Sequence, residues 1–353
     1  MTSARSRFAS LVAFDFSQAD WRDAVRGTVV TAAVTSIPVL EGDLAKAIPL
    51  SIGAAFIAIC EAGQPFSHRW RTMLWTTAAL MIAVYLGSAM SDFYLLAIAA
   101  TGVMAFICGA LGFLGPRVAV GGLLSLVLFT IYVGVPVPLD DALTSAALVG
   151  LGGLIQAAAS VAMGAIRGQH RLPQPERVAF PPASDLWRGE HTFLRHGIRL
   201  AVTMMIATAI SESVSLPHPY WLPMSVAWMS KPDHDGTAVR VLHRMVGTIV
   251  GLMAAYLIVI VFNPSGGGFL PAAIVGVALA IAFIWANYAT AVAGVTLWVV
   301  SLFAMVGDPV ATTMDARLLA TAAAAVLVVL AAWVSDWVTI VVKRRDEHRH
   351  RKR

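Results

Sequence analysis

Hydrophobic positions in this chain are gathered into long blocks, and polar positions fall between them. The apolar blocks cover about residues 24–40, 45–60, 72–90, 93–114, 118–136, 142–166, 196–214, 217–230, 241–262, 269–286, 288–306 and 315–342. A membrane-spanning α-helix needs about 20 predominantly apolar residues, and most of these blocks come close to that length. The pattern therefore predicts an all-α polytopic membrane protein with about 12 transmembrane helices.

Polar segments divide the chain into five parts. We expect an N-terminal segment over residues 1–23, a first six-helix half over 24–166, a linker over 167–195, a second six-helix half over 196–342 and a tail over 343–353. The linker is rich in proline and charge, as connecting segments are. The tail, KRRDEHRHRKR, is basic enough to contact anionic lipid.

Composition agrees with a membrane protein. Of the 353 residues, 58% are apolar and only 13% are charged, whereas soluble domains carry about 25% charged residues. These values exclude a cytosolic enzyme, a secreted disulfide scaffold and a disordered protein, and the net charge of +5 gives no reason to expect a nucleic-acid partner. Cys60 and Cys108 lie inside apolar blocks and are expected to be unpaired core residues.

The placement of basic residues predicts the orientation. With twelve spans and both termini in the cytoplasm, 23 of the 25 Lys and Arg residues fall on the cytoplasmic side, and Lys46 and Arg317 fall on the other. Cytoplasmic loops of membrane proteins carry such an excess of Lys and Arg. We therefore expect a multi-pass protein of the bacterial inner membrane with both termini cytoplasmic.

The sequence repeats itself once, since RDAVRGTV in the first half matches RHGIRLAV in the second. Corresponding positions are Arg26 with Arg199, Arg69 with Arg240, and the DAL at 141–143 with the DAR at 315–317. Six helices per half keep both halves in the same orientation. The sequence thus predicts two parallel six-helix repeats about a pseudo-two-fold axis along the membrane normal, with a pathway on or beside that axis.

The second span of each half is short and rich in proline. The prolines in or around the two segments are Pro38, Pro49 and Pro65 in the first half and Pro217, Pro219, Pro223 and Pro232 in the second. Interrupted helices at matching positions of two halves are typical of a transport site, because they expose backbone groups to a wet cavity. The alternative is a pair of tilted or re-entrant packing helices.

Several basic residues recur symmetrically. Arg26 and Arg199 begin the first span of each half, while Arg69, Arg240 and Arg244 lie at the cytoplasmic end of the third spans. Together they would draw an organic anion towards the pathway and pair with its carboxylate. The alternative is that each is a topology anchor that reaches to the interface.

Four further residues are candidates for the pathway. Glu61 and Lys231 follow the second span of each half and would pair near the axis, or Glu61 would carry a proton; the alternative is two solvated residues at helix ends. Tyr220 and Trp221 open the eighth block and belong either to an interfacial aromatic belt or to a surface that stacks on an aromatic substrate. We find no catalytic constellation, metal motif or P-loop, so no enzyme activity and no cofactor are expected.

Part of the second half resembles the fusaric acid resistance protein-like (FUSC) family. The resemblance covers residues 190–262 well and extends more loosely to the first half. It is carried by RHGIRLAVTMMIATAI, HPYWLPMSVAWMSKP and TAVRVLHRMVGTIVG, with Arg199, Tyr220, Trp221, Pro232, Arg240, Arg244, Gly247, Thr248 and Gly251 as the matching positions.

The resemblance implies transport. Members of that family export aromatic carboxylic acids such as fusaric and p-hydroxybenzoic acid with a periplasmic adaptor protein, and the similar aluminium-activated malate transporters of plants are anion channels built from two six-helix subunits. We therefore expect an inner-membrane transporter that exports small organic anions such as aromatic carboxylic acids. A passive anion channel and a non-transporting membrane scaffold or accessory subunit are the alternatives, and the oligomeric state stays open.

Overall fold

A computed structural model of the chain describes residues 4–18, 21–61, 65–135, 137–173, 182, 184, 192–214 and 217–351. Regular structure in these residues is helical. The helices are α1 Ala4–Val12, α2 Trp21–Leu40, α3 Leu44–Glu61, α4 Phe66–Met90, α5 Tyr94–Ala110, α6 Pro116–Val133, α7 Leu139–Ile166, α8 Thr192–Ser213, α9 Trp221–Met229, α10 His234–Phe262, α11 Leu270–Phe283, α12 Tyr288–Met305 and α13 Val310–Arg351.

The twelve apolar blocks correspond in order to α2 through α13. Among the described residues, eleven helices are long and apolar enough to cross a membrane, which confirms an all-helical membrane architecture. The exception is α9, which has only 9 residues. At 1.5 Å per residue, a helix of that length reaches about 14 Å, less than half of the hydrocarbon thickness.

The prediction that both second spans are short was wrong for the first half. There α3 runs unbroken for 18 residues with Pro49 inside it. Pro49 is the sixth residue of α3, where its missing N–H removes one backbone hydrogen bond and leaves the helix continuous. Only α9 in the second half is an interrupted segment.

Two of the predicted segment boundaries shift. The linker ends before residue 195, because α8 begins at Thr192, and α13 continues through the predicted tail to Arg351. Most of the predicted linker, at 174–181, 183 and 185–191, lies outside the described residues. Cys60 and Cys108 are free and buried, as expected.

Four helices form the centre of the molecule. In α3, α6 and α12 more than half of the span is buried, and α9 is buried at every residue. The remaining spans bury less than half of their length, and their exposed sides are rich in large apolar residues. A helix that is apolar and buried all round lies in a core, while a half-exposed apolar helix in such a protein faces lipid.

The halves meet through two kinds of helix contact. In the first, α5 packs along α8, where Gly109 and Gly197 let the backbones approach closely, and α2 packs against α11. In the second, α6 packs against α9, and Trp298 of α12 donates a hydrogen bond of 3.1 Å to Ser51 Oγ of α3. The centre is therefore built from both halves.

Within the second half, α10 and α12 pack at very close range. A Cβ added at Gly247 or Gly251 would lie 2.4 or 2.5 Å from the carbonyl oxygens of Ala289 and Ala293. The two glycines are the ends of a GxxxG motif, which permits such an approach between membrane helices.

The chain between α8 and α10 returns across the bundle. Ser211 Oγ near the end of α8 donates to the carbonyl of Pro219 at 2.7 Å, and Arg199 near its start donates to the carbonyl of Lys231. Ser211 follows Arg199 by twelve positions of helix, which is about 18 Å. We refer to the side that holds Arg199 and Lys231 as the linker side and to the opposite side, with Pro219, as the far side.

Candidate functional site

The first half contains a buried ion-pair network on the linker side. Arg26 of α2 lies 2.5 Å from Glu61 of α3 and also contacts Asp23 one turn earlier. Arg69 of α4 lies 3.3 Å from both Asp23 and Glu61, and Arg167 at the end of α7 lies 3.7 Å from Asp23. The network thus joins the linker-side ends of four helices.

Charges in this network nearly balance. Glu61 is 1% exposed and accepts a further hydrogen bond of 2.5 Å from Ser160 of α7. Arg26 and Arg69, which the sequence placed beside an anion pathway, each contact two carboxylates here. Their positive charge is therefore already compensated by the protein. The expected pairing of Glu61 with Lys231 does not form, since Glu61 pairs with Arg26 and Arg69.

On the linker side of the second half, Lys231 lines a small cavity. The cavity has a volume of about 90 Å³ and lies between α5, α6, α8 and α9, with His196, Ser230 and Pro232 also at its wall. Arg199 is bound to the carbonyls of Lys231 and Pro232, so it holds this turn of chain rather than lining the cavity. Burial and, to a lesser extent, the charge of nearby Arg240 lower the pKa of Lys231 to about 8.

Deeper in the second half, two arginines lie on aromatic rings. The guanidinium of Arg240 is 3.5 Å from the ring centre of Tyr288, and that of Arg244 is 5.8 Å from the ring centre of Trp228. Arg244 is 1% exposed. Neither arginine takes part in the ion pairs found among the described residues.

Arg317 was missed by the sequence reasoning, which placed it on the outer surface. In the structure it is 0% exposed, on the third turn of α13, and its guanidinium lies 5.1 Å from the ring centre of Trp221. The signal that could have found it was the repeat, because a leucine at 143 corresponds to this arginine. A charge inside an apolar span is costly and generally functional.

An aromatic cluster covers Arg317 on the far side. His218 stacks at 4.4 Å on Trp221 and lies 4.5 Å from the ring of Phe303, and its Nε2 is 3.3 Å from a carboxylate oxygen of Asp308. Burial lowers the pKa of His218, which the charge of Asp308 partly opposes. Tyr220 and Trp221 are buried in this cluster, so they do not form an interfacial belt.

The N-terminal segment covers the linker-side end of α10 and α12. Asn287 Nδ2 donates to the carbonyls of Leu11 and Ala13 at 2.9 and 3.0 Å, and Ser10 Oγ lies 2.9 Å from His243 Nε2. His243 follows Arg240 by three residues on α10, so the segment lies close to the arginines on that helix.

Helix lengths, lipid-facing surfaces and buried charges define a multi-pass membrane protein in which the first half is charge-balanced and the second half is cationic inside. Residues 206–331 match the family model described as "Fusaric acid resistance protein-like". The resemblance noted in the sequence is therefore confirmed over residues 206–262, and the match extends to 331. The matched range contains Lys231, Arg240, Arg244 and Arg317.

Curated relatives match over part of the chain. Inner membrane protein YccS of Escherichia coli (strain K12) is 29% identical over 132 residues, which cover 35% of this chain and 18% of the relative. An uncharacterized protein of Haemophilus influenzae is 28% identical over 132 residues, 37% of this chain and 18% of the relative. Uncharacterized protein ORF2 of Neisseria gonorrhoeae is 26% identical over 161 residues, 44% of this chain and 37% of the relative.

The chain thus spans under a fifth of the length of the first two relatives. No solved structure matches it.

Proposed function

We propose that this protein is an inner-membrane transporter that exports small organic anions, with aromatic carboxylic acids as the first candidates. The observation that carries the proposal is the pair of arginines on α10, the half-buried Arg240 and the buried Arg244, which lie on aromatic rings and form no ion pair among the described residues. The part of the chain that holds them is also the part that matches the family model.

An aromatic carboxylate suits these side chains chemically. A guanidinium pairs with a carboxylate through two parallel hydrogen bonds, and the ring of the ligand can pack on Tyr288 or Trp228. The cavity at Lys231 opens from the linker side and would concentrate anions at the entrance, because Lys231 and Arg240 add positive potential there. Charge and aromatic surface therefore occur together along one route.

The proposal includes two parallel six-helix repeats and twelve crossings, with the linker side in the cytoplasm. The contacts between the halves come in reciprocal pairs. The first helix of each half packs against the fourth helix of the other, as α2 does with α11 and α8 with α5. The second helix of each half contacts the fifth helix of the other, as α9 does with α6 and α3 with α12. A two-fold axis produces such reciprocity. The return of the chain from Pro219 to Lys231 supports α9 as the twelfth crossing.

Flux measurements on the full chain in liposomes test the proposal. Wild-type protein should move radiolabelled p-hydroxybenzoate, and Arg244→Gln should reduce the rate at least tenfold, because the buried guanidinium is the group that replaces water around the carboxylate. Arg117→Gln, which removes a basic residue of the first half outside the ion-pair network, serves as the matched control and should keep the wild-type rate. Absence of flux in wild-type protein for any aromatic acid would contradict the proposal.

The same liposomes separate the transporter from the passive channel. Flux that rises when a proton gradient is imposed supports a coupled exporter. Current that follows the anion gradient and ignores the proton gradient supports the channel, and a stoichiometric protein partner with no flux by the chain itself supports the scaffold.

A further inference from the structure

We propose that Arg244 and Arg317 form one anion-binding site inside the second half, that it takes a single small carboxylate-bearing anion, and that the first half has no counterpart. The inference deepens the proposed function and rests on it for the use of the site. It also places the pathway within the second half rather than on the axis between the halves.

Both arginines are buried without partners for most of their N–H groups. Among the described residues, Nε and Nη2 of Arg244 have no hydrogen-bond partner, and neither do Nε, Nη1 and Nη2 of Arg317. The guanidinium is the side chain that most strongly retains its proton in proteins. Buried charges are ordinarily paired or bound to a ligand. These two arginines therefore bring hydrogen-bond donors without a described protein partner into the interior.

The two guanidinium groups lie over Trp228 and Trp221, which share one face of α9 two turns apart, and α13 packs against both α9 and α10. Among the described residues, neither arginine forms an ion pair with a carboxylate. Two like charges in a medium of low dielectric repel each other strongly. An anion between them reverses that repulsion and can accept hydrogen bonds from both forks, which is the geometry that carboxylates match best.

Aromatic rings and hydroxyl groups complete the surroundings. Trp221 and Trp228 of α9 lie against Arg317 and Arg244 respectively, and Ser225 lies between them on the same short helix. The hydroxyl of Ser225 is buried without a partner, as is that of Thr248, one turn beyond Arg244 on the same face of α10. The surroundings thus offer indole faces and hydrogen-bond donors beside the two cations.

The first half lacks this arrangement. The spacing that relates Arg69 to Arg240 places Met73 at the position of Arg244, and Leu143 corresponds to Arg317. Met73 is buried and Leu143 is 62% exposed, so neither position supplies a charge to the interior. The symmetric arginines of the first half are held by Asp23 and Glu61. Only the second half combines buried cations with an interrupted helix.

The site also lies in line with the other basic residues of this half. Arg240 precedes Arg244 by one turn of α10 towards the linker side, and His218 covers Arg317 on the far side through Trp221. Beyond the cavity at Lys231, which lies between the halves, the fully buried side chains of α6 and α9 include the apolar Leu124, Leu128 and Met229. The geometry therefore favours a route along α9, α10 and α13.

Thermal unfolding of the purified full chain in detergent tests the site without any transport step. In a buffer of low chloride, benzoate should raise the Tm with its concentration, since a ligand that binds only the folded state stabilises it. Benzamide, the neutral analogue, should give no shift. Arg244→Gln and Arg317→Gln should each abolish the benzoate shift, and Arg117→Gln should keep it.

The Tm of Arg317→Gln measured without benzoate gives a second readout. Removing an uncompensated buried charge should leave the Tm of Arg317→Gln equal to or above that of wild type, whereas removing a structural arginine should lower it. If Arg317→Gln cannot be purified, Arg317→Lys carries the test, because it keeps the charge and loses the fork; we expect at least tenfold weaker benzoate binding. The proposal would be overturned if benzamide raised the Tm as much as benzoate does, or if both Arg244→Gln and Arg317→Gln kept the benzoate shift. A Tm of Arg317→Gln below that of wild type, measured without ligand, would also overturn it.

Failure of the site and failure of transport are distinguishable. A benzoate shift that depends on Arg244 and Arg317, in a protein that moves no anion, supports the site and contradicts the transporter. Anion flux that is unchanged in Arg317→Gln contradicts the site and leaves the transporter in place.

Discussion

Glu61 accepts charge-assisted contacts from Arg26 and Arg69 and a hydrogen bond from Ser160 while it is 1% exposed. In the other half, Arg317 is equally buried and contacts a tryptophan ring instead of a carboxylate. Residues of similar burial are therefore compensated by the protein in one half and left uncompensated in the other. This difference gives the first half a structural network and the second half a candidate ligand site.

Breaking the network should destabilise the protein. Arg26→Gln leaves the buried Glu61 carboxylate without its nearest cation, and removal of one partner of a buried ion pair costs about 3–5 kcal/mol. The double variant Arg26→Gln with Glu61→Gln removes both charges and should recover at least half of that loss. Unfolding of the four proteins of this cycle in a denaturing detergent measures the coupling; purely additive losses would contradict it.

The cavity at Lys231 should make anion uptake sensitive to pH. Because burial lowers the pKa of Lys231 to about 8, its charge is present at pH 7 and is lost as the pH rises through 8. Flux of an aromatic carboxylate, which stays ionised throughout this range, should fall several-fold between pH 7 and pH 9 with equal pH on both sides of the membrane. Lys231→Arg should flatten the profile, since arginine stays protonated. The same decline in that variant would show that another group titrates.

At the level of elements, α9 and α10 set the geometry of the second half. The nine residues of α9 are all buried, so its aromatic side chains face protein on every side. On α10, Arg240 and Arg244 share one face with Gly247 and Gly251, and that face is turned towards α12. Close packing at the two glycines therefore fixes how deep the arginines lie. The packing of α10 on α12 and the depth of the two arginine charges therefore depend on each other.

A single methyl group on that face should disturb the packing. In Gly251→Ala the new Cβ would lie 2.5 Å from the carbonyl oxygen of Ala293, so the backbones of α10 and α12 must separate, at a cost of about 1–3 kcal/mol. Gly122→Ala is the matched control, because its new Cβ would meet Cys108 at an ordinary 3.5 Å. We expect the control to be neutral or slightly stabilised. Equal Tm values for the two variants would contradict the close contact.

On the scale of the whole molecule, the halves are related in their helix contacts and different in their chemistry. Reciprocal pairs such as α5 with α8 and α2 with α11 hold them together. Among the described residues, the buried arginines without an ion-pair partner lie in the second half. The proposed pair of fused repeats would allow this divergence, because each half could change its sequence independently, which two identical subunits cannot do.

Orientation of the whole molecule can be measured with introduced cysteines. Lys46→Cys and Asp308→Cys lie on the far side and should react with a membrane-impermeant maleimide added to the outside of intact cells. Arg171→Cys at the start of the linker should react only after the membrane is opened. The natural thiols, Cys60 and Cys108, are buried and should add little background. Labelling of Arg171→Cys in intact cells would reverse the proposed topology.

Much of this architecture could be predicted from local sequence, because a bilayer imposes a simple rule on helix length and polarity. Blocks of about 20 apolar residues predict helices wherever they occur, and all twelve blocks became helices. The lengths of the second spans were less predictable. Pro49 stays inside a continuous α3, whereas α9 ends at Met229, and this difference depends on the packing around each segment.

The sequence by itself determined the all-helical membrane class, the order of the helices and the resemblance of the second half to the FUSC-like family, since each depends on residues close together in the chain. Tertiary structure alone decided which charges are compensated. Arg26 and Arg199 are equivalent in sequence, yet one contacts two carboxylates and the other binds loop carbonyls. Arg317 looked like a surface residue and is fully buried. Whether a buried charge is compensated depends on groups that come from helices far apart in the sequence, and no local sequence pattern shows which groups these are.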